Sequence, residues 1–158
     1  MRKTLLIAMG LAAAAIVALD QAVKAWAKTA LPGQDRPLLP GLVKLTYTEN
    51  RGASFGILQN QQWLFVIITA VALTAMVWLL FSQRVTHPLG RWSLTAVLGG
   101  AVGNFVDRLF HGFVVDMFEF EFFHFAIFNV ADIFISLGGV SLLIYLLFLY
   151  HKEGQDAA

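Results

Sequence analysis

Three acids, Asp107, Asp116 and Asp132, stand in or beside the longest apolar stretches of this 158-residue chain. Asn104, Asp107 and Arg108 are spaced i, i+3, i+4, so on a helix they share one face. Asn129 and Asp132 are i, i+3 at the start of a later apolar stretch, where an acid often serves only as a partner of the helix dipole. Between them runs Gly112-Phe113-Val114-Val115-Asp116, in which glycine permits a turn and an extended Val-Val pair presents Asp116. For Asp107 and Arg108 taken alone, an interfacial ion pair with the close packing of a Gly99/Gly103 GxxxG would suffice. Three acids with one arginine at an apolar interface exceed what packing requires. Two carboxylates a few ångströms apart cannot both ionise easily, so one pKa rises and the other falls. The neutral acid can then donate a proton while the ionised one accepts a proton from water. That is the arrangement of an aspartic protease, and only the pair as a whole has defined titration steps.

Other chemistries are poorly supplied. The chain has no cysteine, which excludes disulfides, thiolate nucleophiles and Cys-ligated zinc. Its four histidines (His87, His111, His124 and His151) include no i, i+4 pair, so local His-based metal motifs are absent and neither metal nor cofactor is expected. The net charge of +1 provides no basic field for a nucleic acid.

The elements that position these acids are read from hydropathy. The chain is 58% apolar and 13% charged, with fourteen Phe and four Trp, too greasy to be an ordinary soluble domain. A bilayer core needs about 20 apolar residues in a helix, and four segments qualify. They run from about Leu5 to Ala27, Trp63 to Phe81, Trp92 to Leu109 and Phe128 to Tyr150. Ionisable groups within such spans are costly and count as functional candidates. Trp26, Trp63, Trp92 and Tyr150 fall near segment ends, where amphipathic rings prefer the headgroup level. Met1-Arg2-Lys3 before an Ala-rich run also fits a cleaved signal peptide. The helical pattern, however, continues through Asp20 and Lys24, an i, i+4 pair of opposite charge, and favours a permanent first span.

Four spans put both termini on one side. Arg2, Lys3, Arg84, Arg91 and Lys152 crowd the short segments there, whereas Lys28, Arg36, Lys44 and Arg51 are spread over the longer loops 28–62 and 110–127. The positive-inside bias therefore places both termini in the cytoplasm and both loops outside it. Val43-Lys44-Leu45-Thr46-Tyr47-Thr48 alternates as a half-buried strand does, and Phe118-Glu119-Phe120-Glu121-Phe122 alternates too. Pro32-Gly33, Pro37 and Pro40-Gly41 punctuate the approach to the first of these. The predicted fold is an all-α membrane protein, a single integral membrane domain of four transmembrane helices with a small β-sheet in the extracytoplasmic loops.

At these residues the chain resembles the lipoprotein signal peptidase (signal peptidase II) family. The resemblance covers nearly the whole chain. It rests on Asp20-Gln-Ala-Val-Lys24, Asn50-Arg-Gly-Ala-Ser-Phe55, Gly99-Gly-Ala-Val-Gly-Asn-Phe-Val-Asp-Arg108, Gly112-Phe-Val-Val-Asp116 and Phe128-Asn-Val-Ala-Asp132. Each motif is weak alone; five in order among four spans are specific. The resemblance implies an aspartic endopeptidase with Asp116 and Asp132 as its catalytic dyad. It implies that Asn50, Gly52, Asn104, Arg108 and Asn129 line the site and hold the substrate or the dyad, and that Asp20, Lys24 and Asp107 are structural or supporting. The implied substrate is a diacylglyceryl-modified bacterial prolipoprotein, cut just before its lipidated cysteine. The implied setting is the bacterial cytoplasmic (inner) membrane, with the active site at its outer face, membrane lipid as surroundings and a monomer as the working unit. Ile133 departs from the family, which more often has Ser after the second catalytic Asp, and this predicts a missing hydrogen-bond donor beside Asp132.

Two rival classes remain from the residues alone. A proton or ion pathway also uses intramembrane Asp and Arg, but would spread polar residues through the membrane's depth, whereas here they gather at one end. A non-catalytic scaffold could use the strand-like loops to bind a partner; mutation of either dyad aspartate separates it from an enzyme.

Overall fold

The computed structural model describes residues 2–52, 61–82 and 84–150. In chain order it contains α1 (Arg2–Ala30), β1 (Arg36–Leu39), β2 (Val43–Asn50), α2 (Gln62–Ser82), α3 (Pro88–His111), β3 (Val114–Phe120) and α4 (Val130–Phe148). Among the described residues three helices are long and apolar enough to cross a membrane: Lys3–Ala30, Gln62–Ser82 and Val130–Phe148. The third predicted span, within α3, is just as helical. Its glycines, Asn104, Asp107 and Arg108 make it less apolar, because it is the helix that the others enclose. It packs against α1, α2 and α4, and it buries Ser93, Thr95, Asn104 and Asp107 while α2 buries no residue at all.

Glycine sets how closely α3 is approached. A Cβ on Gly99 would stand 3.0 Å from Ile16 Cβ, and one on Gly103 would stand 2.6 Å from Asp20 Oδ2. On Gly100 it would collide with the backbone oxygen of Ala131 on α4. The GxxxG therefore faces α1, and the adjacent glycine admits α4, as small residues do at helix crossings.

The helix boundaries differ from the expected ones for local reasons. α3 begins at Pro88, four residues before Trp92, because His87 caps it: its Nδ1 accepts from Leu89 N at 3.1 Å, with proline at the first helical position. The helix ends where Gly112 adopts φ +74° and its N–H donates to Arg108 O, the turn the glycine was expected to make. α4 begins at Val130 and not at Phe128, because Phe128 is drawn into a bridge with Phe118.

The sheet is three-stranded and antiparallel, ordered β1-β2-β3. β2 was legible from its alternation. β1 was not, since Pro37 lies inside it, which a strand at the sheet's edge tolerates. β3 spans Val114–Phe120, earlier than the Phe118–Phe122 alternation suggested, because its first residues, Val114 to Met117, are all buried and so do not alternate. The sheet closes over the end of α1: Ala27 and Leu31 pack with Val115 and Met117 in one core cluster. A second cluster, Val85, Leu94 and Tyr145, seals the opposite end of the bundle.

Candidate active site

Two elements of unlike kind are stitched together to make the site. Phe128 exchanges backbone bonds with Phe118 (2.9 and 3.0 Å), so the segment entering α4 runs beside β3. The next residue, Asn129, is the N-cap of α4 and forms a capping box with Asp132. Its side-chain oxygen accepts from Asp132 N (3.0 Å), and its own N–H donates to Asp132 Oδ2 (3.1 Å). The cap thereby fixes the Asp132 carboxylate at the mouth of the helix.

Asn129 also reaches across to β3. Its Nδ2 donates to Asp116 Oδ1 at 2.6 Å, and more distantly to Asn104 Oδ1 at 3.2 Å. The other Asp116 oxygen accepts from Asn50 Nδ2 at 2.9 Å. Asn50 can reach because β2 and β3 pair with Asn50 opposite Val114, which sets Asp116 on the diagonal. Asp132 Oδ1 accepts from Asn104 Nδ2 at 2.8 Å. One asparagine thus touches both aspartates, and each carboxylate holds two donors. Burial pushes the Asp116 carboxyl up to about 6, with the charge of Asp132 adding to the rise. The hydrogen bonds from Asn50 and Asn129 and the charge of Lys24 oppose it.

These groups line a cavity of about 480 Å³. Asn50, Asn104, Arg108, Asp116, Asn129 and Asp132 form its polar floor, and Phe125, Ile127, Ile133 and Leu137 belong to its apolar wall. Ile133 and Leu137 are exposed on α4, so the cavity is flanked by an apolar helix surface. The Arg108 guanidinium stacks on Phe65 of α2 at 5.1 Å, and its buried Nε has no hydrogen-bond partner among the described residues.

The expectation that Asn104, Asp107 and Arg108 act as one face needs correction. Asp107 and Arg108 are successive residues, about 100° apart around the helix, and they part company. Asp107 turns to α1, where its Oδ2 lies 2.9 Å from Lys24 Nζ, and Arg108 turns to the cavity. Lys24 also pairs with Asp20 at 2.8 Å, the i, i+4 contact its spacing predicts. Asp20 Oδ1 accepts from Ala131 N at 2.9 Å, so α1 touches the first turn of α4. Gly52 is not among the described lining residues; its N–H donates to Asn50 Oδ1 at 3.0 Å, which turns the Asn50 amide nitrogen toward Asp116. The rest of that motif, residues 53–55, lies outside the described residues. Nor does Ile133 leave Asp132 short of donors, since Asn104 and Asn129 supply both oxygens.

Three participants were missed. Gln21 Nε2 donates to Gly103 O (3.2 Å) and reaches Asp107 Oδ1 (3.4 Å), and a polar residue within the first span was the available signal. Ser136, on the cavity wall, sits one turn beyond Asp132, a spacing that could have flagged it. Phe65 carries no signal in an apolar run.

Comparison with known proteins identifies relatives along most of the chain. The profile of the family described as Signal peptidase (SPase) II matches residues 12–148. The lipoprotein signal peptidase of Streptococcus pneumoniae (strain ATCC BAA-255 / R6) is 44% identical over 133 residues, covering 84% of this chain and 87% of the relative. That of Streptococcus pyogenes serotype M1 is 44% identical over 136 residues, covering 83% and 87%. Two solved structures, each described as a bacterial membrane enzyme obtained in meso, superpose with TM-scores of 0.83 and 0.82 at 30% identity. They cover 89% and 90% of this chain, and 87% and 94% of their own. On these matches the chain, in which one asparagine bridges the buried Asp116 and the half-buried Asp132, belongs to the signal peptidase II family, aspartic endopeptidases that remove the signal peptides of lipoproteins.

Proposed function

We propose that Asp116 and Asp132 are the catalytic dyad, and that the substrate is a diacylglyceryl-prolipoprotein cut just before its lipidated cysteine. The observation that carries the reading is Asn129, which donates to Asp116 through its side chain and to Asp132 through its backbone. It holds two carboxylates against one cavity, where one is ionised and the other neutral. The ionised carboxylate takes a proton from a water molecule as that water attacks the scissile carbonyl carbon. The neutral acid gives its proton to the carbonyl oxygen, and a gem-diol results. On collapse the C–N bond breaks and the amine leaves with a proton returned from the dyad. Arg108 is placed to hold substrate carbonyls with its fork of donors, while Asn50, Asn104 and Asn129 orient the aspartates and Gly52 orients Asn50.

In this reading α3 also spans the membrane, completing four spans in a single membrane domain. Its 24 residues reach about 36 Å, enough for a hydrocarbon core of about 30 Å. Trp26 and Trp63 are exposed near the sheet end of the bundle, and Trp92 and Tyr150 near the other, which supports a belt at each interface. The basic residues Arg84 and Arg91 near the second end favour a cytoplasmic location for it and for both termini. The sheet and the dyad then lie at the outer face of the bacterial inner membrane. The substrate's acyl chains stay in lipid beside the exposed Ile133 and Leu137 while its peptide enters the cavity. The working unit is a monomer.

The test is incubation of the purified enzyme with a diacylated prolipoprotein, following signal-peptide release. Parent enzyme releases the peptide; Asp116→Asn and Asp132→Asn, folded as the parent is, do not. More than a few per cent of parent activity in either variant overturns the dyad assignment.

A further inference from the structure

We infer that Lys24, one helix removed from the cavity, is a positioning residue for the cleavage reaction, acting through the side chain of Asn104 on Asp132. The inference rests on Asp132 being one of the two catalytic acids. Lys24 Nζ is almost wholly buried, 1% exposed, and faces three oxygens: Asp20 Oδ2 at 2.8 Å, Asp107 Oδ2 at 2.9 Å and Asn104 Oδ1 at 2.8 Å. A clasp between α1 and α3 would be complete with the two aspartates. The third oxygen is the one that leads to the site.

An ammonium has donors and no acceptor, so only the oxygen end of the Asn104 amide can face it. The two ends of that amide are otherwise nearly alike in shape. With the oxygen committed to Lys24, the nitrogen end is turned to Asp132, where Nδ2 donates to Oδ1 at 2.8 Å. The other donor to Asn104 Oδ1 is Asn129 Nδ2 at a longer 3.2 Å, through the second of its two N–H groups, the first going to Asp116 at 2.6 Å. Without Lys24 the Asn104 amide loses its shorter donor. A flipped amide would set one oxygen against another, leaving Asp132 Oδ1 without its hydrogen bond. Lys24 thus decides, from behind the cavity, how one member of the dyad is solvated.

Removing the lysine alone would strand two buried carboxylates, so the test variant keeps the charge of the cluster. Asp20, Asp107 and Lys24 sum to minus one, and so does the cluster in Lys24→Met/Asp107→Asn. Steady-state cleavage of one lipidated substrate is measured for parent, this pair, Asp107→Asn alone as its baseline, and Asn104→Ala with and without the pair. Thermal unfolding in detergent is checked for each.

The expected result is a kcat about tenfold or more below the Asp107→Asn baseline with little change in KM, the signature of an effect on the reacting groups and not on substrate binding. In the Asn104→Ala background the pair should cost no further kcat, because its route to Asp132 is already cut. A folded pair variant with kcat within about twofold of its baseline overturns the inference, as do losses that simply multiply with that of Asn104→Ala. Failure of the charge-balanced pair to fold also overturns it, since Lys24 would then be a structural clasp. Full activity in Asp132→Asn would fell the dyad reading instead, so the two failures are distinguishable.

Discussion

Two groups of carboxylates lie close together at the sheet end of the bundle, and they are built on opposite plans. Asp20 and Asp107 share an ammonium: Lys24 Nζ is within 2.9 Å of both, and both acids are fully buried. Asp116 and Asp132 have no cation within salt-bridge distance among the described residues. They are held by neutral amides and border an open cavity. The first group is tied to an ion pair, away from the residues that line the cavity. The second keeps its charge uncompensated, and burial raises Asp116 to about 6, where a carboxyl can exchange protons near neutral pH. In the proposed reading, what separates a structural acid from a reactive one is its partner and its access to the cavity.

The contrast predicts opposite failures on mutation. The largest effect is on turnover: Asp116→Asn and Asp132→Asn should each lower kcat/KM by about a thousandfold or more with unfolding temperature near the parent's. An amide can accept hydrogen-bond partners much as the carboxylate does but cannot take a proton from water. Asp107→Ala should act the other way round, lowering stability by about 1–3 kcal/mol, since it removes the acceptor on α3 that the buried Lys24 of α1 holds. Thermal unfolding and cleavage measured on the same preparations decide it. A dyad variant that loses stability as Asp107→Ala does would erase the distinction.

How much of this was legible follows the same division. Asp20 and Lys24 were readable as a pair because i, i+4 on a helix is a local rule, and the structure forms it. Ionisable groups in an apolar run pointed to a convergence of Asp107, Asp116 and Asp132; the structure brings Asp116 and Asp132 to one cavity and ties Asp107 to Lys24 instead. The partner of Asp107 was not readable. Lys24 lies on another helix, and nothing in a one-dimensional spacing says whether Asp107 turns toward α1 or Arg108 does. β1 was hidden by its proline; the extended Val114-Val115 pair was read, but not its place in the sheet, because a run buried on both faces does not alternate. The bridging role of Asn129 depends on Phe128 pairing with Phe118, a contact between segments that hydropathy assigns to different elements.

Arg108 sharpens the comparison from the cavity side. Its guanidinium stacks on Phe65 at 5.1 Å and its Nε has no partner among the described residues, so it is held in place without being used up. Arg108→Lys replaces a planar fork by a point charge and should lower kcat/KM by about tenfold, or about 1.4 kcal/mol of transition-state stabilisation. Arg84→Lys, at an exposed position stacked on Trp78, should change it little. If both variants behave alike at equal thermal stability, Arg108 is an anchor at the membrane surface and belongs with the structural group.

The smallest expected effect concerns the one acid of the reactive group that lies on the sheet. Asn50 Nδ2 donates to Asp116 Oδ2 at 2.9 Å, a bond that favours the ionised form. Burial and the charge of Asp132 push Asp116 up to about 6 against that pull. In Asn50→Ala the upward forces are less opposed, so the carboxyl rises further. The dyad titrates as a pair, so the readout is the limb of the pH–rate profile that Asp116 governs, and it should move to higher pH by less than about one unit. Stability carries the same sign. The folded-state pKa of Asp116 stands above the ordinary 3.8, so the folded chain binds this proton more tightly than the unfolded one. The resulting stabilisation is fully present below 3.8 and is lost as pH rises through about 6. Asn50→Ala should therefore cost little unfolding temperature near about pH 4, where the acid is neutral, and more near about pH 8, where a carboxylate has lost a donor. A loss equal at both pH values, with an unmoved limb, would mean that Asn50 serves only the turn it makes with Gly52 N, and that Asp116 is governed by Asn129 alone.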